Sequence, residues 1–177
     1  EYMFGKAPRT IMRDQKKASN FGEVKYSTTN IIKYIEQVLQ IEGVACKDWL
    51  TNKVDRSVTG KIAVQQTAGE VQVPLNDYAA VAIDYQGKAG IATALGHAPV
   101  AAMIDSKAGS RLAIGEALTN IALAPLSYGL KGVSLSANWM WPCRNEGEDA
   151  RLYDAVEAAS NMAVELGINI PTGKDSL

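Results

Sequence analysis

The sequence predicts an α/β (α+β) fold in which helices cover a mixed sheet. Apolar residues recur every three or four positions in the segments 29–41, 110–120 and 148–166, which is the period of an amphipathic helix. Between residues 62 and 96 the pattern changes to short β-type runs that are separated by glycines. A chain of 177 residues is long enough for one domain with a sizeable core and short for two.

We therefore predict one domain over residues 27–177, preceded by an arm or linker over residues 1–26. The beginning of the chain is rich in basic side chains and has neither a helical nor a strand period. Its basic charges could contact phosphate, although a solvated linker is the simpler interpretation.

The first helix is predicted from Thr29 to Ile41. A threonine can cap its start, and Gly43 follows its end. The predicted core-facing stripe consists of Ile31, Ile35, Val38 and Leu39. We expect this helix to pack on the core and to carry no chemistry. The loop that follows the helix contains Lys47 and the polar run DRSVTG at positions 55–60.

In the sheet region, Asp77 directly precedes a predicted strand from Tyr78 to Ile83. Its side chain would stand at a strand end, where ligands commonly meet an α/β sheet. The alternative is that Asn76 and Asp77 only form a turn. His97 is the sole histidine and has no partner at metal-ligand spacing, so we expect a structural role for it.

The helix predicted over Ser110–Asn120 separates core residues from two chemically useful ones. Glu116 and Asn120 are four positions apart and would project together, so that a carboxylate and an amide oxygen could hold one hard cation. The alternative is a solvated helix face. The residues predicted on the opposite, core-facing side are Ile114, Ala117, Leu118 and Ile121.

In the last third of the chain, the residue pattern predicts a buried strand from Gly132 to Ala137, a helix from Glu148 to Leu166 and a final strand that begins at Ile168. The final strand leads into the sequence GKDS. Trp139 and Trp141, between the first strand and the helix, could cover a cavity or fill the core.

Composition excludes several classes of function. The 18 basic and 19 acidic residues nearly balance, which argues against nucleic acid and a membrane surface as partners, and we expect a soluble protein. Cys46 and Cys143 are too few for a disulfide framework, and no signal peptide is visible, so we expect a cytoplasmic location. The sequence contains neither a Walker loop nor a GxGxxG motif. The absence of an initiator Met and the abrupt end predict a piece of a longer polypeptide.

Four motifs in order, SRLAIGEALTNIA, SANWMWP, GEDARLYDAV and IPTGKDS, resemble the long form of the phosphoribosylformylglycinamidine synthase family, also called formylglycinamide ribonucleotide amidotransferase. The chain resembles the ATP-binding subdomain of the second synthetase half, which has the fold of the N-terminal domain of aminoimidazole ribonucleotide synthetase. The resemblance implies a parent enzyme of purine biosynthesis that converts formylglycinamide ribonucleotide, ATP and glutamine to the amidine, ADP, phosphate and glutamate.

The resemblance also implies ligands and site residues. Its cofactors would be Mg²⁺ and ATP or ADP, with Lys47 and Asp77 at the nucleotide and Asp77, Glu116 and Asn120 at the metal. The family's second-half site is an auxiliary one, so the resemblance implies no catalytic residue here and no turnover by the chain alone. The implied partners are the first synthetase half and the glutaminase domain of the same polypeptide.

An alternative function is a non-catalytic nucleotide-binding and assembly module. We also expect the isolated chain to self-associate through exposed sheet edges and apolar surface.

Overall fold

The computed structural model describes residues 21–46, 60–65, 70–71 and 77–177. These residues form two compact units. The antiparallel unit contains the described residues of 20–97 together with Ala113–Pro125, and the parallel unit contains Ala98–Leu112 and Leu126–Leu177. Residues 1–20 lie outside the described part, and the predicted division into an arm over 1–26 and a domain over 27–177 stays a prediction.

The antiparallel unit is built on a three-stranded sheet in the order β1, β2, β3. Its strands span Ile62–Val64, Tyr78–Ala82 and Gly90–Ala94. Strands β2 and β3 pair without a register shift, from Tyr78 opposite Ala94 to Ala82 opposite Gly90. The predicted strand from Tyr78 to Ile83 is therefore confirmed within one residue.

The connection between β2 and β3 is shaped by one carboxylate. The backbone N–H groups of Gly87 and Gln86 both donate to Oδ1 of Asp84, the latter over 2.8 Å. These two bonds lower the pKa of Asp84 because they stabilise its charged form, and the bond from Gly87 has the larger effect. The side chain thereby replaces backbone partners that the strands no longer supply.

Helix α1 spans Ile31–Leu39 and is preceded by a 3₁₀ turn at Thr28–Asn30, close to the predicted limits. Its predicted packing is wrong for the part of the chain that the structure describes. The exposed fractions of the stripe residues are Ile31 55%, Ile35 49%, Val38 48% and Leu39 59%. A helical period shows that one face of a helix is apolar, but it does not supply the surface that covers this face.

The parallel unit contains helices α2 (Pro99–Ile104) and α4 (Glu148–Leu166), together with strands β4 (Ser134–Met140) and β5 (Asn169–Ser176). The two strands are parallel and flank α4 in sequence, so the helix is their crossover connection. Its limits match the prediction, and glycines with positive φ stand at both ends, Gly147 at 87° and Gly167 at 68°. The core of this unit is an alanine face of α4 formed by Ala155, Ala158, Ala159 and Ala163.

Strand β4, at Ser134–Met140, differs from the buried strand predicted over Gly132–Ala137. Its residues alternate between exposed and half-buried, with Leu135, Ala137 and Trp139 on the half-buried side. This alternation is typical of a strand with only one covered face, whereas an apolar run such as GVSLSA does not distinguish one covered face from two.

Helix α3 spans Ser106–Ile121, which is longer than the predicted segment of 110–120. Its first turn is capped by Asp105, whose Oδ1 accepts the N–H of Ala108 over 3.0 Å, and this bond lowers the pKa of the Asp105 carboxyl. The boundary between the two units falls within α3, between Leu112 and Ala113.

Charged side chains of α4 reach the neighbouring helices of the parallel unit. Arg151 donates to the carbonyl oxygens of Ala102 and Met103 over 2.7 and 2.8 Å. Lys107 lies 3.1 Å from Oε2 of Glu157 and 3.5 Å from the buried Asp154. The Arg151 bonds satisfy carbonyls at the end of α2 that have no partner within that short helix.

The α/β class predicted from the sequence is confirmed, with helices and with both antiparallel and parallel sheets. In the part of the chain that the structure describes, no helix combines the length and the apolar character that a membrane crossing requires.

Candidate metal centre

Helix α3 presents Glu116 to the chain that leaves β3. Oε2 of Glu116 accepts the backbone N–H of His97 over 2.8 Å. A carboxylate can only accept hydrogen bonds, so its natural backbone partner is an N–H group. The bond is made to Oε2 of Glu116, and the other carboxylate oxygen, Oε1, takes no part in it.

Asn120 contacts the same segment one helical turn later. Its Nδ2 donates to the backbone carbonyl oxygen of Leu95 over 2.9 Å. An amide has a donor side and an acceptor side, and this bond assigns the donor side to the protein backbone. The carbonyl oxygen Oδ1, which is the atom that could bind a cation, is not used by the bond to Leu95.

Gly96 lies between these two bonds and faces the backbone of α3. A Cβ atom at this position would lie 2.6 Å from the backbone nitrogen of Ala117 and would also collide with the carbonyl of Ala113. Only a residue without a side chain allows so close an approach. The contact is made by backbone atoms of Ala113 and Ala117, and Ala117 itself is half-buried. The predicted place of the Ala117 side chain on the core-facing side of the helix stays a prediction.

Asp77 is brought to the same end of the sheet by the register of β2 and β3. It directly precedes Tyr78, which pairs with Ala94, and Leu95 directly follows Ala94. Paired residues of antiparallel strands have Cα atoms about 4.5–5.5 Å apart. Asp77 is exposed, so its carboxylate is accessible at this end of the antiparallel sheet.

Three of the four predicted site residues thus lie at one end of the β2–β3 pair. The fourth, Lys47, lies outside the described residues, as does the run DRSVTG up to Thr59. No group of three or more His, Cys, Asp or Glu side chains suited to a metal ion occurs among the described residues. Glu116 and Asn120 do not form a purely solvated helix face, since both are bonded to backbone groups.

The donor set fits Mg²⁺. Two carboxylates and one amide oxygen are hard ligands, which Mg²⁺ takes together with water and phosphate oxygens. Asp77, Glu116 and Asn120 would hold the ion, and the ion would neutralise the phosphate charge of a nucleotide. The bonds to the Leu95–His97 segment do not use Oε1 of Glu116 or Oδ1 of Asn120, so each side chain keeps one oxygen for the ion.

The Leu95–His97 segment itself was missed by sequence reasoning. Its signal is the Gly in ALGHAPV directly after a strand, since an isolated Gly at such a place marks close approach of another backbone. His97 donates its backbone N–H to Glu116, and the expected structural role of its side chain stays a prediction.

Trp139 and Trp141 lie in the parallel unit and have different surroundings. Nε1 of Trp141 donates to Oε2 of Glu148 over 2.8 Å. Trp139 lines a groove of about 520 Å³ along β4, β5 and α4. The GKDS sequence lies at the end of β5, where Nζ of Lys174 donates to Oγ of Ser176 over 2.9 Å.

The family of the chain is shown by its similarity to known proteins. Residues 46–177 match the family described as FGAR-AT PurM_N-like domain. The chain belongs to this family. The match covers every described element from β1 to β5, including all of the candidate metal ligands, and the family resemblance seen in the sequence is confirmed.

Curated relatives agree with the family match. The human phosphoribosylformylglycinamidine synthase is 43% identical over 178 aligned residues, which cover 100% of this chain and 13% of the human protein. The probable chloroplastic/mitochondrial enzyme of that name from Arabidopsis thaliana is 41% identical over 92% of this chain. The probable enzyme of that name from Caenorhabditis elegans is 45% identical over 82% of it. The chain spans about an eighth of the length of these relatives.

Cys143 has the opposite properties to a catalytic thiol. It is half-buried, and burial together with the carboxylate of Asp149 raises its pKa to about 11. The thiolate is the reactive form of cysteine. At neutral pH, Cys143 therefore remains a protonated thiol.

We predict that Cys143 reacts slowly with iodoacetamide at pH 8, because about one thiol in a thousand is ionised three pH units below the pKa. The measurement uses the Cys46→Ser variant, in which Cys143 is the remaining cysteine. Its alkylation rate should rise about tenfold per pH unit from pH 8 to pH 10. Rapid labelling at pH 7 that does not change with pH would contradict the raised pKa.

Proposed function

We propose that this chain is the part of a phosphoribosylformylglycinamidine synthase that holds a magnesium–nucleotide complex in an auxiliary site. The parent enzyme would use ATP and glutamine to convert formylglycinamide ribonucleotide to the amidine in purine biosynthesis. The observation that carries the proposal is the placement of Asp77, Glu116 and Asn120 at one end of the β2–β3 pair. The names of the relatives support the identity of the parent enzyme.

In this proposal, Asp77, Glu116 and Asn120 bind Mg²⁺, and Lys47 and Asp77 contact ATP or ADP. A cation between carboxylates and phosphates offsets the repulsion between these anionic groups. The proposed role is one of binding, and the proposal assigns no catalytic residue to this chain.

The chain alone should have no synthetase or glutaminase turnover. Its proposed partners in the reaction are the first synthetase half and the glutaminase domain, and its relatives are about eight times longer. The purified 177-residue chain, incubated with formylglycinamide ribonucleotide, ATP and glutamine, should form no amidine above the level without protein. ATP-dependent amidine formation would contradict this assignment. We propose a cytoplasmic location for the parent enzyme.

Removal of one ligand charge tests the metal site. We predict that the full-length protein gains thermal stability when Mg²⁺ and ADP are added together, and that Asp77→Asn and Glu116→Gln abolish the part of this gain that comes from the auxiliary site. A nucleotide at a hundred times its Kd stabilises the domain that binds it by about 2.7 kcal/mol, which is about 5–10 °C in the melting transition of a domain of about 150–250 residues. Glu116→Gln keeps an acceptor for the N–H of His97, so the ligand-free melting temperature should change little.

Asp84→Asn is the matched control, because Asp84 is an exposed carboxylate on the same β2–β3 pair at its other end. This variant should retain the full shift with Mg²⁺ and ADP. If Asp77→Asn and Glu116→Gln bind magnesium nucleotide as tightly as the wild type, these residues are not its ligands.

A second function, assembly, is supported by helix α1. Its apolar stripe is about half exposed in the described part of the chain, and isolated proteins rarely present such a continuous patch without a partner. We propose that, in the isolated chain, the stripe contacts a second copy.

The assembly proposal predicts that the isolated chain sediments as a dimer or larger species at high micromolar concentration. Ile35→Lys places a charge in the centre of the stripe and should shift the chain towards monomer. Gln37→Lys introduces the same side chain about 200° away around α1 and should leave association unchanged. A wild-type chain that is monomeric at this concentration would contradict the proposal.

A further inference from the structure

The contacts of the Leu95–His97 segment explain why residue 120 is an asparagine. The segment and α3 have matching repeat lengths, since two residues of extended chain span about 6.6 Å and four residues of α-helix rise about 6.0 Å. One helical turn therefore places Glu116 beside His97 and Asn120 beside Leu95. The two bonds measure 2.8 and 2.9 Å, so neither is stretched by this spacing.

The two backbone groups of the segment demand different side chains. The N–H of His97 needs an acceptor, which a carboxylate supplies. The carbonyl of Leu95 needs a donor, which a carboxylate does not have. An asparagine satisfies this carbonyl through Nδ2 and still offers Oδ1 to a cation.

We propose that Leu95–Gly96–His97 is a positioning element that orients the metal-binding oxygens of Glu116 and Asn120. This inference rests on the proposed function of the site. The segment binds Oε2 of Glu116, so this carboxylate holds the ion through Oε1 alone. It binds Nδ2 of Asn120, so the amide presents Oδ1 to the ion. Gly96 makes both bonds possible because it lets the segment approach the α3 backbone.

Groups that orient metal ligands in this way typically contribute about 10- to 100-fold to metal affinity. For Asn120→Asp, the proposal and a simple electrostatic argument predict opposite changes in metal affinity. Asn120→Asp adds a negative charge beside a cation and would strengthen binding if charge alone decided affinity. Under the proposal it weakens binding, because a carboxylate oxygen then faces the carbonyl oxygen of Leu95 and the side chain turns away.

The test measures binding of Mn²⁺ with ADP at this site in the full-length protein, by titration calorimetry and by the electron paramagnetic resonance signal of Mn²⁺, after subtraction of the binding that Asp77→Asn retains. Asn120→Asp and Gly96→Ala should each weaken binding by about 10- to 100-fold. Gly115→Ala is the control for Gly96→Ala, since a Cβ at Gly115 meets no atom within 4 Å. It should bind like the wild type. Binding of ADP without metal should be the same in all variants, which separates metal positioning from a general loss of structure.

Asn120→Ala separates failure of this inference from failure of the proposed site. If Asn120→Ala weakens binding while Asn120→Asp binds as tightly as the wild type or more tightly, the metal site stands and the positioning role is wrong. If Asn120→Ala has no effect, Asn120 is not a ligand, and the inference is wrong together with this part of the proposed function. If Gly96→Ala does not fold, Asn120→Asp decides alone, because Asn and Asp have nearly the same shape.

Discussion

The candidate site depends on the contact between the Leu95–His97 segment and helix α3. Both hydrogen bonds of this contact join a side chain to a backbone group that has left the sheet. Backbone N–H and C=O groups that lose their strand partners must find others, or folding carries the cost of their desolvation. Glu116 and Asn120 supply these partners, so the stability of the connection and the orientation of the two side chains have one cause.

The position of Asp77 follows from a different constraint, the register of β2 and β3. Because the pairing runs without a shift from Tyr78 to Ala82, residues that are distant in sequence come together at the strand ends. A slip of one residue would exchange the two faces of β2 and move Asp77 relative to Leu95. The antiparallel pair and the helix contact thus act independently: the pair sets the position of Asp77 beside the end of β3, and the helix contact sets the orientation of Glu116 and Asn120.

Sequence patterns predict most where a local cause determines the structure. Helix α4 was predicted to its last residue because Gly147 and Gly167 mark its ends and its apolar period is long. Helix α3 begins four residues before the predicted Ser110, because Asp105 caps a first turn that has little apolar period. The exposed stripe of α1 could not be predicted, since periodicity identifies an apolar face without identifying its partner.

The same distinction applies to the site, where the spacing of Glu116 and Asn120 is a local property of a helix that the sequence predicts directly. Their contacts with Leu95 and His97 depend on how the end of β3 approaches α3, which no local pattern encodes. Gly96 is the only trace of this approach in the sequence, and an isolated glycine after a strand is equally typical of a turn or a β-bulge.

A site whose ligands are held by backbone groups suits binding better than proton transfer. Asn120 has no titratable group, and one oxygen of Glu116 is already engaged by an amide N–H. Side chains that are oriented before the ligand arrives lose less conformational freedom when it binds, which favours a stably held ion. The raised pKa of Cys143 removes the one described thiol of the parallel unit from nucleophilic chemistry at neutral pH. The chemistry of the described residues therefore favours the proposed holding of a cation and its nucleotide.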